Sequence, residues 1–292
     1  MAQEREIAAR VSSLAEMAEI VAAIRAIAAS QMQQALRTTA AIRSYSELIS
    51  KALSDALSLL PSNGTVTRMS GRSALVLFGT EHGLCGGFNQ QLLRAVQHDF
   101  KVKAQQPVLM VVGSRIARLC RERGLNFDVT LPMATHYAGV TGTARCVAAE
   151  LYSMFTEGRV AGIELIYVGS AAQLLKLERQ KVLPLDLPTS TTQSWQLPPI
   201  INVRPRQLLD GIISEYLFAA LENAAMQSFF SENSTRFRTM EAAHQNIRKK
   251  SAELTTLARR MRQEAITSEI LDLIDGAEAL SSVRGLNRSK TR

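Results

Sequence analysis

Residues 7–27 read IAARVSSLAEMAEIVAAIRAI, and the spacing of the apolar side chains in this stretch decides the architecture. Large apolar residues recur at steps of three and four, at Ile7, Val11, Leu14, Met17, Val21, Ile24 and Ile27. Such spacing lines them up along one face of an α-helix and is typical of a coiled coil. Alanine is frequent from Ala22 to Ala29, which favours close approach of a second helix. We therefore expect a helix–helix seam that includes Ile20, Ile24 and Ile27.

Helix-breaking residues are missing from both ends of the chain. Residues 1–60 contain neither proline nor glycine, and residues 206–292 contain no proline and only three glycines. Both segments can therefore form long, uninterrupted helices. In the second segment Met240, Ile247, Leu254 and Met261 recur every seven residues. We assign Leu257, Ile266 and Ile270 to the same seam.

The predicted helix lengths indicate how the two terminal segments are arranged. A helix of about 55 residues is roughly 80 Å long at ~1.5 Å per residue. A domain built from the remaining residues is only about 30–40 Å wide. We therefore expect the helices to project from it and to pair antiparallel, because a long isolated helix is marginally stable. The alternative is two ordinary helical bundles interrupted at unrecognised turns.

The middle of the chain has a different pattern. All eight prolines lie between residues 61 and 205, and five of them lie in a predicted linker over 184–205. Strands are predicted at 73–78, 108–112, 127–131, 163–168 and 174–183, and helices at 88–97, 115–123 and 143–156. This alternation predicts a mostly parallel sheet with helices on both faces. The predicted domains are 1–60, an α/β domain at 61–205, and 206–292.

Composition and charge exclude several classes of protein. The 292 residues include no run of about 18 apolar residues that would span a membrane. The charged N-terminus leads into no apolar signal core. Residues 61–205 hold most of the net charge of +8, which suits an acidic protein surface or nucleic acid. No basic tract interleaved with aromatic residues supports nucleic acid. The three cysteines are far apart, which is typical of reduced thiols.

The glycine-rich segment from Gly79 to Asn89 lies between a predicted strand and helix, where nucleotide-binding loops occur. It matches neither the dinucleotide fingerprint nor a Walker loop, so we expect a tight turn and no bound cofactor. Cys85 beside His82 could suggest a nucleophile and its base, but no third orienting group is identifiable. We predict no catalytic residue and no metal site.

Four motifs resemble those of the γ subunits of F-type rotary ATP synthases. The stretch from Ile266 to Ala279 resembles the C-terminal signature of that family, and 83–89 resembles its Gly-Leu-Cys-Gly-Gly-Phe-Asn turn. Ala28-Ala29-Ser30 with Met32 resembles an N-terminal motif. Ser231-Glu232-Asn233 with Arg236 and Met240 also fits the family. The motifs occur in order along nearly the whole chain, and the helix–α/β–helix plan is the plan of the family.

The resemblance implies a non-catalytic rotor shaft that couples ion flow through a membrane ring to ATP chemistry elsewhere. The expected partners are the α and β subunits, the ε subunit and the membrane c-ring, with no nucleic acid or small-molecule substrate. The implied location is peripheral, on the cytoplasmic face of a bacterial plasma membrane. Arg262 and Gln263 match a pair that contacts an acidic loop of β. The foot loop facing the rotor ring would comprise Asn202, Val203, Arg204 and Arg206.

The chain also departs from the family pattern. Gln31, Gln33 and Gln34 stand where the family has Lys or Arg, and Glu81-His82 replaces an Asp/Ser-Lys/Arg pair. The foot loop is basic and lacks the usual acid, and a basic tail follows the signature. We interpret the chain as a divergent member, from a second, specialised rotary ATPase of its cell.

Two other classes of protein fit the sequence less completely. A coiled-coil scaffold or nucleic-acid-binding module accounts for the long helices and the charge, but not for the strand–turn–helix middle. An α/β oxidoreductase would need a cofactor fingerprint and would not explain two long helices.

Overall fold

The computed structural model describes residues 2–58, 71–102, 106–171, 174–184 and 202–289. Most of the predicted linker and the last three residues of the basic tail lie outside this range. The elements in chain order are α1 (Ala2–Ser58), β1 (Arg72–Phe78), α2 (Phe88–Val102), β2 (Val108–Val112), α3 (Ser114–Glu122), β3 (Val129–Leu131), a 3-10 turn (Tyr137–Gly139), α4 (Val140–Thr156), β4 (Val160–Ala171), β5 (Leu174–Leu183) and α5 (Pro205–Ser289).

Five strands form one sheet in the order β3-β2-β1-β4-β5. The first four strands in this order pair parallel, with Val76 opposite both Met110 and Leu165. Strand β5 pairs antiparallel with β4 at the edge, since the two follow each other directly in the chain. The predicted fold class, a mostly parallel α/β sheet with long, antiparallel, paired terminal helices, is confirmed.

Helices cover both faces of the sheet, as predicted. Successive strand residues point to opposite faces, so alternate residues of β1 and β2 enter two separate cores. Val76, Phe78 and Met110 pack with α4 and with buried residues of α1 and α5. Leu75, Leu77 and Leu109 pack instead with α2 and α3. Each of the two cores therefore contains apolar side chains that are fully buried.

The chain divides into two compact units. The first comprises Met1–Ile24 and Met240–Arg292, and the second comprises Arg25–Thr239. The first unit consists of two helical segments, and the second contains the sheet and its covering helices. Among the helices that the structure describes, none combines the length and the apolar content of a membrane span.

The seam of α5 in the first unit follows the predicted seven-residue repeat. Met240 is buried, and Ile247, Leu254 and Met261 are half-buried. Ile247 lines a groove with Leu14 and Ala18 of α1, so the two helices lie side by side. The assignment of Leu257, Ile266 and Ile270 to this seam is wrong, because their side chains are exposed.

The seam of α1 differs from the prediction between residues 17 and 27. Ile20 and Ile27 are 60 % and 63 % exposed and lie outside the seam, while Ile24 is half-buried. The buried or half-buried positions are Ile7, Leu14 and Val21 in the first unit and Ala28, Ala35 and Ile42 in the second. A coiled-coil seam advances seven residues per two turns, and Met17, Ile20 and Ile27 each fall one position before a buried or half-buried position. Those following positions are Ala18, Val21 and Ala28.

Candidate functional site

The segment from Gly79 to Asn89 forms a tight turn at the carboxyl end of β1, as the sequence predicts. Thr80 is buried, and its backbone N–H donates to Asn89 Oδ1 at 3.2 Å. Asn89 Nδ2 donates in return to Thr80 Oγ1 at 2.7 Å. The Thr80 hydroxyl also donates to the carbonyl of His82 at 2.7 Å. These bonds satisfy the buried polar groups of the turn without a ligand.

The Glu81 carboxylate lies at the N-terminus of α3, where the helix dipole favours an anion. Its carboxylate accepts hydrogen bonds from the backbone N–H and the hydroxyl of Ser114 and from the N–H of Met133. Partial burial alone would raise the pKa of Glu81, but these hydrogen bonds and His82 lower it below its ordinary value. The protein thus supplies its own anion at this helix end.

The pair Cys85 and His82 does not form a nucleophile site. Cys85 is buried, and its thiol donates to the carbonyl of Gly83 at 3.3 Å. Burial, reinforced by the nearby Glu232 carboxylate, raises the pKa of Cys85 to about 12. The thiol therefore stays protonated at neutral pH and is a poor nucleophile. Among the described residues no group of three or more His, Cys, Asp or Glu side chains could hold a metal ion.

Two of the sequence motifs meet in the second unit. Arg236 of α5 donates to Glu232 Oε1 at 2.5 Å, to Asn233 Oδ1 at 3.2 Å and to the carbonyl of Gly83 at 3.5 Å. Glu232 is only 4 % exposed, and burial raises its pKa to about 7 although Arg236 lowers it. The turn after β1 and the Ser-Glu-Asn motif of α5 are therefore one cluster, which sequence spacing could not reveal.

The predicted contact residues for β lie on the exposed surface of α5 in the first unit. Arg262 and Gln263 are both exposed. Gln263 lines a shallow groove with Arg260, Glu264, Thr267, Ser268 and Leu271. From Ile266 to Ile274 the apolar side chains that the structure describes are exposed as well. This end of α5 presents a surface of mixed apolar and charged side chains.

The predicted foot loop precedes α5. Asn202, Val203 and Arg204 are exposed, and the carbonyl of Arg204 accepts the N–H of Leu208 in the first turn of the helix. Arg206 lies within α5, and its side chain is outside the described residues. The structure thus leaves the three described side chains of the loop accessible.

Gln31 makes a contact that the sequence did not indicate. Its side-chain oxygen accepts a hydrogen bond from the backbone N–H of Tyr137, at the turn before α4, at 3.2 Å. A lysine at this position would have no acceptor and could not replace this bond. The neutral residue at this position therefore joins α1 to the α/β domain inside the second unit.

The fold and these sites define a class of protein: an α/β domain joined to paired long helices, without a catalytic centre among its described residues. A family model described as ATP synthase matches residues 3–280. An ATP synthase gamma chain of Pelotomaculum thermopropionicum is 25% identical over 291 residues, covering 94% of this chain and 98% of that relative. One from a Parafrankia species is 29% identical over 306 residues, covering 96% and 98%.

Solved structures have the same fold. A chain from the mitochondrial ATP synthase of Euglena gracilis, in a structure of OSCP, F1 and c-ring, superposes with a TM-score of 0.66. The two are 15% identical, and the match covers 97% of this chain and 96% of that one. A chain from the central stalk and c-ring of the Tetrahymena thermophila enzyme has a TM-score of 0.56 at 18% identity, covering 77% and 99%.

The chain belongs to the ATP synthase family, as a gamma subunit. It is the non-catalytic central rotor stalk of an F-type ATP synthase, a subunit associated peripherally with the membrane. The matched residues extend through both compact units, so the whole described architecture belongs to this family.

Proposed function

We propose that this chain rotates inside a ring of α and β subunits and that its α/β domain binds an ε subunit and the membrane c-ring. The observation that carries this proposal is the family match over residues 3–280, which includes both long helices and the sheet. The similar solved structures support the partners, since they belong to the rotor, the central stalk and the c-ring assemblies of other ATP synthases.

In this role the chain acts by differential binding rather than by chemistry of its own. The side chains of α1 and α5 differ around their surfaces, so each surrounding subunit contacts a different set of residues at a given rotor angle. A ligand shifts a conformational equilibrium only when it binds the two states unequally. Rotation of an asymmetric shaft therefore changes the preferred conformation of each nucleotide site in turn.

We assign the functional segments as 1–60 and 206–292 for the shaft and 61–205 for the foot domain. Asn202, Val203, Arg204 and Arg206 are proposed to face the rotor ring, and the exposure of the first three supports this assignment. Because this loop is basic, its partner surface should carry acidic side chains or carbonyl oxygens. The location we propose is the cytoplasmic face of a bacterial plasma membrane, supported by the bacterial relatives.

Arg262 and Gln263 are proposed to contact an acidic loop of a β subunit at certain rotor angles. Both side chains are exposed on α5, and a guanidinium forms strong hydrogen bonds with a carboxylate. Replacing Arg262 with Ala should lower ATP-driven turnover of the complex about tenfold, as expected for the loss of one charge-assisted bond of about 1.5 kcal/mol. The control is Arg248→Ala, which removes another exposed arginine of the same helix. Equal turnover of the two variants would contradict the assignment.

The proposed assembly can be tested by purification through a tag on this chain, followed by native mass measurement. We expect a particle with three α, three β and one copy of this chain. A soluble monomer that never captures those subunits would contradict the proposal and favour the scaffold alternative.

The same preparation tests whether the chain belongs to a second, specialised rotary ATPase. Gln31, Gln33 and Gln34 support this, because they remove positive charges from the shaft. The co-purified α and β subunits should then be encoded separately from the housekeeping set. Recovery of housekeeping α and β subunits alone would overturn the assignment to a second rotary ATPase, without affecting the proposed assembly with α and β subunits.

A further inference from the structure

Helix α5 meets the carboxyl end of β1 along a short segment of the second unit, which we call the Ser228–Thr239 junction. Ser228 Oγ is buried and donates to the carbonyl of Phe78, the last residue of β1, at 3.1 Å. At the other end of the junction the turn residue Gly86 has a positive φ of 50°, and a Cβ there would lie 3.2 Å from Thr239 Oγ1. The turn therefore packs directly against the helix.

Polar side chains fill the centre of this junction. Four consecutive residues, Ser231 to Ser234, are buried, although surface helices normally alternate buried and exposed positions. Glu232 pairs with Arg236, which also donates to Asn233 and to the carbonyl of Gly83 in the turn. Arg236 thus joins the helix to a backbone atom of a segment 153 residues away in sequence.

This polar network contributes little to the free energy of unfolding compared with an apolar contact. Glu232 Oε2 and Ser231 Oγ are buried without a hydrogen-bond partner among the described residues. Unpaired buried polar atoms are costly, and well-packed apolar residues often replace a buried ion pair without loss of stability. An apolar contact, however, tolerates small sliding and rotation, whereas a guanidinium that donates in fixed directions does not. The fixed direction of the hydrogen bonds, rather than a gain in stability, therefore accounts for the ion pair between Glu232 and Arg236.

We propose that Arg236 and Glu232 are positioning residues that fix the rotation of α5 about its own axis relative to the turn after β1. They would thereby transmit torque between the α/β domain and the shaft helix. This inference rests on the proposed rotation of the chain and names the residues through which that rotation passes within the second unit.

The test uses the complete complex, purified through a tag on this chain and measured in membrane vesicles. The variant Glu232→Leu with Arg236→Met keeps the volume and removes the charges. We expect ATP hydrolysis to remain near the wild-type rate while ATP-driven ion pumping per ATP falls about threefold or more. Thermal unfolding should be unchanged or shifted upward. The matched control is Arg43→Met with Glu47→Leu, an exposed pair with the same spacing on α1.

A merely structural role predicts a different result, namely that pumping and hydrolysis fall together in proportion to the loss of stability. Pumping per ATP equal to that of the control pair would overturn the proposal. Should the double variant fail to assemble, Glu232→Gln keeps the shape of the side chain and removes only its charge. It should lower pumping per ATP and increase amide hydrogen exchange from Gly83 to Asn89. Faster exchange with unchanged pumping per ATP would also overturn it.

The wild-type complex separates this inference from the proposed function. If tagged wild type recovers no α and β subunits, the shaft assignment itself fails, and the torque inference fails with it. If wild type assembles and pumps while the Glu232 and Arg236 variants pump equally well, only the torque inference is overturned.

Discussion

At the residue scale, the turn after β1 depends on a few buried polar groups whose partners are distant in sequence. Glu81 is the clearest example, because it accepts three hydrogen bonds from Ser114 and Met133. The sequence marked Glu81 only as a departure from the family pattern. Its partners follow from β2 and β1 being adjacent in the sheet, which brings the start of α3 beside the turn.

Replacing Glu81 with Ala should destabilise the chain by about 1–3 kcal/mol, since it removes three hydrogen bonds and leaves the partly buried N–H of Met133 without its acceptor. The measurement is urea unfolding at neutral pH. Glu122→Ala, at the exposed opposite end of α3, is the control and should change stability by less than about 0.5 kcal/mol. Equal effects of the two substitutions would contradict the role of these hydrogen bonds.

The pH dependence of this site follows from the lowered pKa of Glu81. A carboxylate with a pKa lower in the folded than in the unfolded state stabilises the fold above its unfolded pKa. That contribution is lost as the pH falls through the folded pKa. The difference in stability between wild type and Glu81→Ala should therefore shrink under acid conditions, and a constant difference would contradict this assignment.

Glu232 should show the opposite pH dependence, because burial raises its pKa to about 7. Between pH ~4.5 and 7 the unfolded chain loses this proton while the folded chain retains it, so stability falls as the pH rises. The variant Glu232→Gln has no proton to lose at this position, so its stability lacks this pH dependence. The free energy of unfolding of wild type should fall by roughly 3 kcal/mol relative to the variant across that range, measured by thermal unfolding at several pH values. Parallel pH profiles would exclude a raised pKa.

At the element scale, the long helices follow directly from the absence of helix breakers, and their contact faces do not. The large residues from Met17 to Ile27 suggested one face, but the structure leaves Met17, Ile20 and Ile27 exposed and buries Ala28. Two helix backbones approach closely only where the side chains between them are small. Choosing the contact face of α1 by its largest apolar residues therefore gives the wrong positions. On α5 the burial agrees with the seven-residue repeat, since Met240 is buried and Ile247, Leu254 and Met261 are half-buried.

Alanine 28 provides a test of this corrected seam. It is fully buried, whereas Ala26 lies exposed two residues earlier on the same helix. Ala28→Leu should destabilise the chain by about 1–3 kcal/mol through overpacking, while Ala26→Leu should be nearly neutral. Urea unfolding of the two variants measures the difference. An equal or larger effect at Ala26 would contradict the placement of Ala28 in the seam.

At the scale of the whole molecule, the end of α5 exposes apolar side chains that a chain functioning alone would normally bury. Ile266, Ile270, Leu271 and Leu273 are all about half exposed or more. Such surface is typical of a region that contacts another protein. This agrees with a gamma subunit, whose fold is completed by partners that the chain itself does not supply.

Truncation after Gln263 should therefore leave the rest of the chain folded. The described side chains that it removes are exposed, so the expected change in unfolding free energy is below about 1 kcal/mol. Calorimetry of the isolated chain measures the change, and light scattering should show less aggregation than for wild type. A large loss of stability would mean that this segment packs within the chain after all.

The sequence alone determined the properties that depend on local composition. Long terminal helices follow from the missing prolines and glycines, and β2 was predicted with the bounds that the structure has, because five consecutive apolar residues make a buried strand. The family predicted from local motifs is likewise confirmed by the match over residues 3–280. The sequence also indicated a tight turn after β1 without identifying what holds it.

Only the tertiary structure decided which of these local features meet. It placed β5 antiparallel at the edge, brought Glu81 to α3, and joined Arg236 to the turn after β1. It also buried Ala28 in the α1 seam and left Ile20 and Ile27 outside it. These outcomes depend on contacts between residues far apart in the chain, and their energies arise from packing and burial that no local pattern contains.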